Sequence, residues 1–340
     1  RKDLFLGVFL FFVLSGFIGY QSVFANQTKL SGISIFADPA VVHAEIEIPR
    51  NRFVDSNSLI PRLLHNRVTF AIRRFAQNYI NAFSPEFLFI KGGGNKAHNI
   101  EGFGNMYAVE APFLFIGVVT LFLFKQTKEK KLVLWWFLVA PIAASITKDA
   151  PHTNRMFAIF PMLSLMVAIG IQWFIAFLNS QKIKQGLSVG FICFLFLVNG
   201  IIYLDRYFVR FPRNEAEHWG LGFKNLSERL IKDDFKNKSV VMARPEYSPY
   251  IFFLFYQLYD PAKYQESALR YPRTEDGFVH VKEFGRYEFR EIDWQEDMKI
   301  ANRILIDWTE DVPSSVLQTH KTENIILPDG KSMFTIVEIK

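Results

Sequence analysis

The residues best suited to chemistry lie in a short polar stretch, TKDAPHTNRM at residues 147–156, wedged between two long apolar runs. His152 and Arg155 are three apart, so a helix starting here would turn both to one face. Arginine offers a planar, permanently charged fork suited to phosphate, and histidine can add a hydrogen bond. Lys148 and Asp149 bring charge of both signs to the same stretch. Flanked as they are, these groups would stand at a lipid–water boundary, where ionisable side chains tend to mark substrate paths. A lipid-borne phosphate is the ligand such a set would meet. The plainer alternative makes Arg155 an interfacial anchor and His152 a helix cap.

A second constellation runs through FSPEFLF and HNIEGFGNMYAVEAPF, with Glu86, His98, Glu101 and Glu110 as its acids and imidazole. Glu110 sits at the mouth of an apolar run, where an unpaired carboxylate is costly. It would pair with an arginine or touch a substrate hydroxyl. The KGGGN segment at 91–95 lacks the Lys-Ser/Thr of a phosphate-binding loop and follows no strand, so it reads as a hinge or loop. Neither Gly-x-Ser-x-Gly nor His-Glu-x-x-His occurs, and the 7 histidines show no metal-ligand spacing. The single cysteine, Cys193, lies in an apolar run, which excludes an intrachain disulfide and a zinc motif. No cofactor is legible, although a divalent metal remains possible.

Half of the 340 residues are hydrophobic and 37 are Phe, and the apolar residues cluster instead of spreading periodically. Five runs emerge, at 4–20, 109–124, 132–146, 156–178 and 187–204. A helix needs roughly 20 apolar residues to cross a bilayer. The last two runs meet that, whereas the second and third need snorkelling flanks or packing in a bundle. The expectation is an α-helical polytopic membrane domain of about five spans over 1–205, followed by an extracytoplasmic α/β domain over 206–340. The net charge of +6 is concentrated in two short connections, with Lys125, Lys128, Lys130 and Lys131 in one and Lys182 and Lys184 in the other. That is the positive-inside pattern of a multi-pass inner-membrane protein, not a nucleic-acid footprint. With these loops and Arg1–Lys2 cytoplasmic, the 21–108 loop, the 147–156 turn and the C-terminal tail all fall outside. The chain opens on Arg1 without Met, and no small-residue cleavage signal follows the first run, so that run reads as an internal span of a longer protein.

The 21–108 loop is too long for a plain connector. Its 59–82 stretch, with Arg62, Arg67, Arg73 and Arg74 among apolar residues, suits an amphipathic helix along the outer membrane surface. The tail predicts a helix at 215–232, a strand at 239–243, an aromatic helix at 249–258 and a strand at 303–307. A hairpin at 324–339 should turn at Pro328-Asp329-Gly330.

FSPEFLFIKGG, HNIEGFGNMYAVEAPFLFIGV and APHTNRMFAIFPMLSLMVAIGI together resemble bacterial membrane glycosyltransferases of the GT-C type, in the family 39/83-like group related to protein O-mannosyltransferases and aminoarabinose transferases. The tail segments YFVRFPRNEAEHWGLGFK and PYIFFLFYQLYDPAKYQ fit the external domain of that group. The resemblance implies an enzyme that takes a sugar from a polyprenyl-phosphate carrier at the outer face and passes it to an external acceptor. It implies that His152 and Arg155 contact the carrier phosphate, with Lys148 and Glu110 as further substrate-binding residues. The family's catalytic carboxylate belongs to a first external loop that nothing here matches, so no catalytic residue is assigned and a C-terminal fragment, inactive alone, is expected. The competing reading is a non-catalytic envelope protein whose external domain binds a partner. A transporter is disfavoured because the spans carry few internal polar residues.

Overall fold

The structure, a computed structural model, describes residues 2–24, 32–56, 58–123, 127–274 and 278–340. Arg1 and Lys125, two of the residues assigned to the cytoplasmic side, lie outside these. The chain divides into two compact units, Arg1–Phe208 and Val209–Lys340.

The first unit is helical, with α1 (Lys2–Phe24), α2 (Arg67–Asn81), α3 (Glu110–Leu123), α4 (Lys128–Val139), α5 (Phe160–Ser180) and α6 (Gln185–Asp205) as its longer elements. Among the described residues, two helices are long and apolar enough to cross a membrane, Phe157–Ser180 and Gln185–Asn214. The 109–124 run forms α3, whose 14 residues reach only about 21 Å. The 132–146 run is not one helix. Pro141 cannot donate to the ladder, so α4 stops at Val139 and a separate short helix, Ile142–Ser145, follows.

The core of this unit forms where α3 meets α5, through Phe113, Leu114 and Leu121 on one helix and Leu163, Met166 and Val167 on the other. Two glycines bring the backbones together. A Cβ on Gly117 would lie 1.8 Å from the Met166 carbonyl oxygen, and one on Gly170 would lie 1.9 Å from that of Phe113. Only a residue without a side chain permits this approach.

The amphipathic stretch at 59–82 is broken in two. Asn66 accepts from the Val68 and Thr69 amides while Thr69 Oγ1 accepts from the Asn66 amide, a capping box that starts α2 afresh after the short helix Leu59–Leu64. Arg73 and Arg74 pair with Glu45, at 2.6 and 3.7 Å. Near the end of α2, buried Asn78 donates to the carbonyls of Ser145 (2.9 Å) and Thr147 (3.0 Å). The Lys148 amide donates to Ile33 and the Ile35 amide to Ile146, so the chain leading into the 147–156 turn is held on both sides.

The second unit is an α/β domain. Its elements are α7 (Leu221–Leu230), β1 (Ser239–Met242), α8 (Tyr250–Tyr256), β2 (Leu269–Arg270), β3 (Val281–Phe284), β4 (Tyr287–Phe289), α9 (Trp294–Asp297), β5 (Arg303–Trp308), α10 (Ser314–Thr319), β6 (Lys321–Ile326) and β7 (Ser332–Ile339). The seven strands form one mixed sheet in the order β2-β3-β4-β1-β5-β7-β6. β1 is parallel to both its neighbours, β4 and β5, and the remaining pairs are antiparallel. Alternation along β1 sends Val240 and Met242 to a core with α7 and α8, and Val241 to a smaller core with α9 and α10. The helix expected at 215–232 is shorter, because Gly220 takes a left-handed conformation (φ 74°) that ends the turn at Glu217–Trp219 and starts α7.

Candidate functional site

A cleft of about 750 Å³ in the first unit joins the two constellations read from the sequence. One wall is the stretch from Asn81 to Asn95, carrying Ser84, Glu86, Lys91 and the three glycines; the other is Asp149–His152. Asn99 ties the walls together, its Oδ1 accepting from the Gly93 amide at 2.7 Å and from the Thr153 hydroxyl at 2.6 Å. The glycines are needed for this closeness. Gly92 has φ 72°, and a Cβ on Gly93 would come within 3.1–3.2 Å of Thr153 and the Pro151 carbonyl. Gly94 faces open space. The KGGGN segment is therefore a wall of the cleft, not only a hinge.

His152 lines the cleft at 8% exposure. Its Nδ1 is buried and finds no hydrogen-bond partner among the described residues, while Nε2 stands 4.0 Å from Asp149 Oδ2. The His98 ring meets it edge-on, with centroids 5.2 Å apart. Burial, reinforced by the Arg155 charge, pushes the His152 pKa down, so the ring is neutral and can donate from one nitrogen and accept at the other. Across the cleft, Lys91 pairs with Glu86 at 2.5 Å, both of them well exposed.

Arg155 departs from its expected place. The helix does not begin at His152: a turn, then a 3-10 segment at Phe157–Ile159, precedes α5. Without helical spacing, Arg155 turns back and hydrogen-bonds Asp149. It does not line the cleft. Burial pulls the Asp149 carboxyl upward, but the Arg155 hydrogen bond and charge outweigh it and hold the pKa below the ordinary value. Lys148 is exposed and lines no part of the cleft. Glu110 also lies apart, its Oε2 accepting from the Tyr107 amide at 2.8 Å at the start of α3. Glu101 offers its carbonyl to Arg206 at 2.7 Å.

Of the four expected binding residues, then, the cleft contains His152 alone, joined by Asp149, Glu86 and Lys91. The glycine triplet was the signal for Lys91, since three adjacent glycines allow a backbone to approach a ligand or another chain segment closely. Among the described residues, no three of His, Cys, Asp and Glu come together in a way that could hold a metal ion. Comparison of the chain with protein-family models, curated proteins and solved structures returned no match.

Proposed function

We propose that this chain belongs to a polytopic plasma-membrane glycosyltransferase of GT-C type, and that the cleft holds the phosphate of a polyprenyl-linked sugar donor. The observation that carries this is the cleft shared by neutral His152, with its unpartnered Nδ1, Lys91 and the glycine segment shortly before α5. A phosphate there takes charge-assisted hydrogen bonds from Lys91 and a neutral one from His152. Its lipid tail follows the exposed apolar side chains beside the spans. Arg155 acts at one remove, positioning Asp149 and the turn. The acceptor hydroxyl attacks the anomeric carbon, the bond to the carrier phosphate breaks, and the cleft stabilises the charge left on the phosphate oxygen. The base that takes the hydroxyl proton is not assigned to a residue of this chain.

Five spans fit this reading, with α1, α3 and the divided α4 segment joining α5 and α6. Apolar side chains of α1 are exposed, among them Phe9, Phe11, Phe12 and Leu14, as lipid contact requires. Lys182 and Lys184 lie between α5 and α6, and Lys128, Lys130 and Lys131 open α4. With these lysines cytoplasmic, the cleft and the second unit face outward.

Membranes containing the full-length protein should transfer radiolabelled sugar from a polyprenyl-phosphate donor to endogenous acceptors. Lys91→Ala and His152→Ala should each raise the donor KM about tenfold or more, the loss of one charge-assisted or buried hydrogen bond. Unchanged donor KM in both variants would remove the phosphate from this cleft.

A further inference from the structure

The second unit holds a cavity of its own. β1 and β5 are adjacent and parallel, yet the chain leaves them toward opposite faces: β1 leads to α8 on the larger core, whereas β5 leads to α10 on the smaller one. A crevice opens where connections diverge in this way, and at the carboxyl ends of such strands open α/β sheets bind their ligands. A cavity of about 630 Å³ lies there, lined by Arg244 and Tyr247 after β1 and by Trp308 and Thr309 at the end of β5. That volume suits a small molecule of one or two rings.

The chain is bent on purpose at this point. Arg244 (φ 53°) and Ser248 (φ 54°) both adopt the left-handed conformation, bracketing the three-residue turn Pro245–Tyr247. Non-glycine residues take this conformation at a cost, and such positions gather at ligand sites. Here the bend lays the Arg244 guanidinium 4.9 Å from the centre of the Trp308 ring and the Tyr247 ring 5.0 Å from it. Arg244 is also hydrogen-bonded to Asp311, which holds the fork in place and leaves N–H donors over. Tyr247 is 54% exposed and offers a free aromatic surface. Thr309 and Ser332 contribute paired hydroxyls 2.8 Å apart, and the lining also holds Lys331, in an ion pair with Glu217, and Glu310.

We infer that this cavity binds an anionic sugar, a hexose bearing a carboxylate or a phosphate. The C–H face of a pyranose packs on the electron-rich face of Tyr247. Ring hydroxyls exchange hydrogen bonds with Thr309 and Ser332, and the anionic group takes the N–H donors of Arg244 that Asp311 leaves over. A nucleotide fits less well, because the loop after β1 reads Ala243-Arg244-Pro245-Glu246. It offers no glycine, and Pro245 has no amide hydrogen to cradle a diphosphate. The inference rests on the sheet and its cavity alone, independent of the membrane cleft.

The test uses the full-length chain in nanodiscs and saturation-transfer NMR with D-glucuronate, D-glucose 6-phosphate, D-glucose and UMP as probes. At least one of the two charged hexoses should bind in the millimolar range or tighter, with glucose about tenfold weaker. Binding of glucuronate alone identifies a carboxylate ligand, and of glucose 6-phosphate alone a phosphorylated one. Arg244→Met should weaken the charged sugar about tenfold, and Tyr247→Ala, at a ring more than half exposed, should also weaken it severalfold. The inference is overturned if neither charged hexose binds, if glucose or UMP binds as well as they do, or if both variants bind like the parent. Sugar transfer is not part of the readout, so a negative result leaves the donor-cleft reading intact.

Discussion

Arg155 and Asp149, six residues apart, are hydrogen-bonded across the turn that precedes α5. The pair takes the guanidinium away from the cleft and gives the turn its shape, because the carboxylate held in this way stands beside the Nε2 edge of His152. The charge most suggestive of ligand binding in the sequence thus serves the arrangement of its neighbours.

Replacing Asp149 tests that pairing. Its folded-state pKa is depressed, so its contribution to stability is complete above the ordinary carboxylate value of about 4 and is lost as pH falls through the folded value. The side chain is nearly half exposed, which limits the effect to about 1 kcal/mol or less. Asp149→Asn should lower the melting temperature slightly at neutral pH and flatten its decline in acid, as followed by thermal unfolding across the acid range. An unchanged acid limb would show that the pair contributes nothing.

His152 gives a second pH signature at milder acidity. Its pKa is pushed down by burial first and by Arg155 next, so the unfolded chain binds the proton more readily than the folded one. Stability is complete above about pH 6.5, the unfolded value, and falls as pH drops from there through the lowered folded value. His152→Gln should abolish that slope while leaving the Asp149 limb in place. Melting curves collected between the two regions separate these contributions.

The contact between α3 and α5 admits no side chain at its two glycines. Gly170→Ala places a methyl group where the Phe113 carbonyl stands, and Gly117→Ala does the same at Met166. Each should cost about 1–3 kcal/mol as the helices separate. An alanine in place of Gly190, whose surroundings are open, should cost nothing by this mechanism. Detergent-resistance and unfolding midpoints of the three variants measure the difference.

Two buried aspartates in the second unit should respond in opposite directions. Asp297, at 3% exposure, accepts two hydrogen bonds from Arg290 and one from Arg303. Asp297→Asn removes the counter-charge of Arg303 and one of the two that Arg290 has, the other being Glu288, and should cost about 3 kcal/mol.

Asp307 lacks such a partner, its Oδ1 accepting only from the amide of the next residue, Trp308. Burial pushes its pKa up to about 6. The folded state then prefers the protonated form, so stability falls as pH rises from about 4 to about 6 and the penalty is complete above that. Asp307→Asn keeps the hydrogen bond and should stabilise the protein by about 1–3 kcal/mol above pH 6, with little effect at pH 4. Denaturant unfolding at the two pH values checks the sign.

Local pattern was readable and long-range pairing was not. The alternation at 303–307 became β5, and the Pro328-Asp329-Gly330 turn joins β6 to β7, with Gly330 at φ 91° as such a turn requires. Strands β2 to β4 are only two to four residues long, too short to show a period. The pairing of Val240 with Tyr287 spans a stretch of chain that no local signal reports. The candidate site divides similarly. His152 could be picked out by residue type and by its place beside an apolar run. Its separation from Arg155 by a turn, and the approach of Gly93 to Thr153, depend on a contact between segments far apart in sequence.

One asparagine sets the gauge of the first unit's cleft. Because a single oxygen of Asn99 receives hydrogen bonds from Gly93 on one wall and from Thr153, the residue after the other wall's His152, the spacing where the walls meet is the reach of one short side chain. Any ligand that enters is measured against that fixed width, and lengthening the residue by one methylene, as in Asn99→Gln, would reset the caliper without touching a charged group.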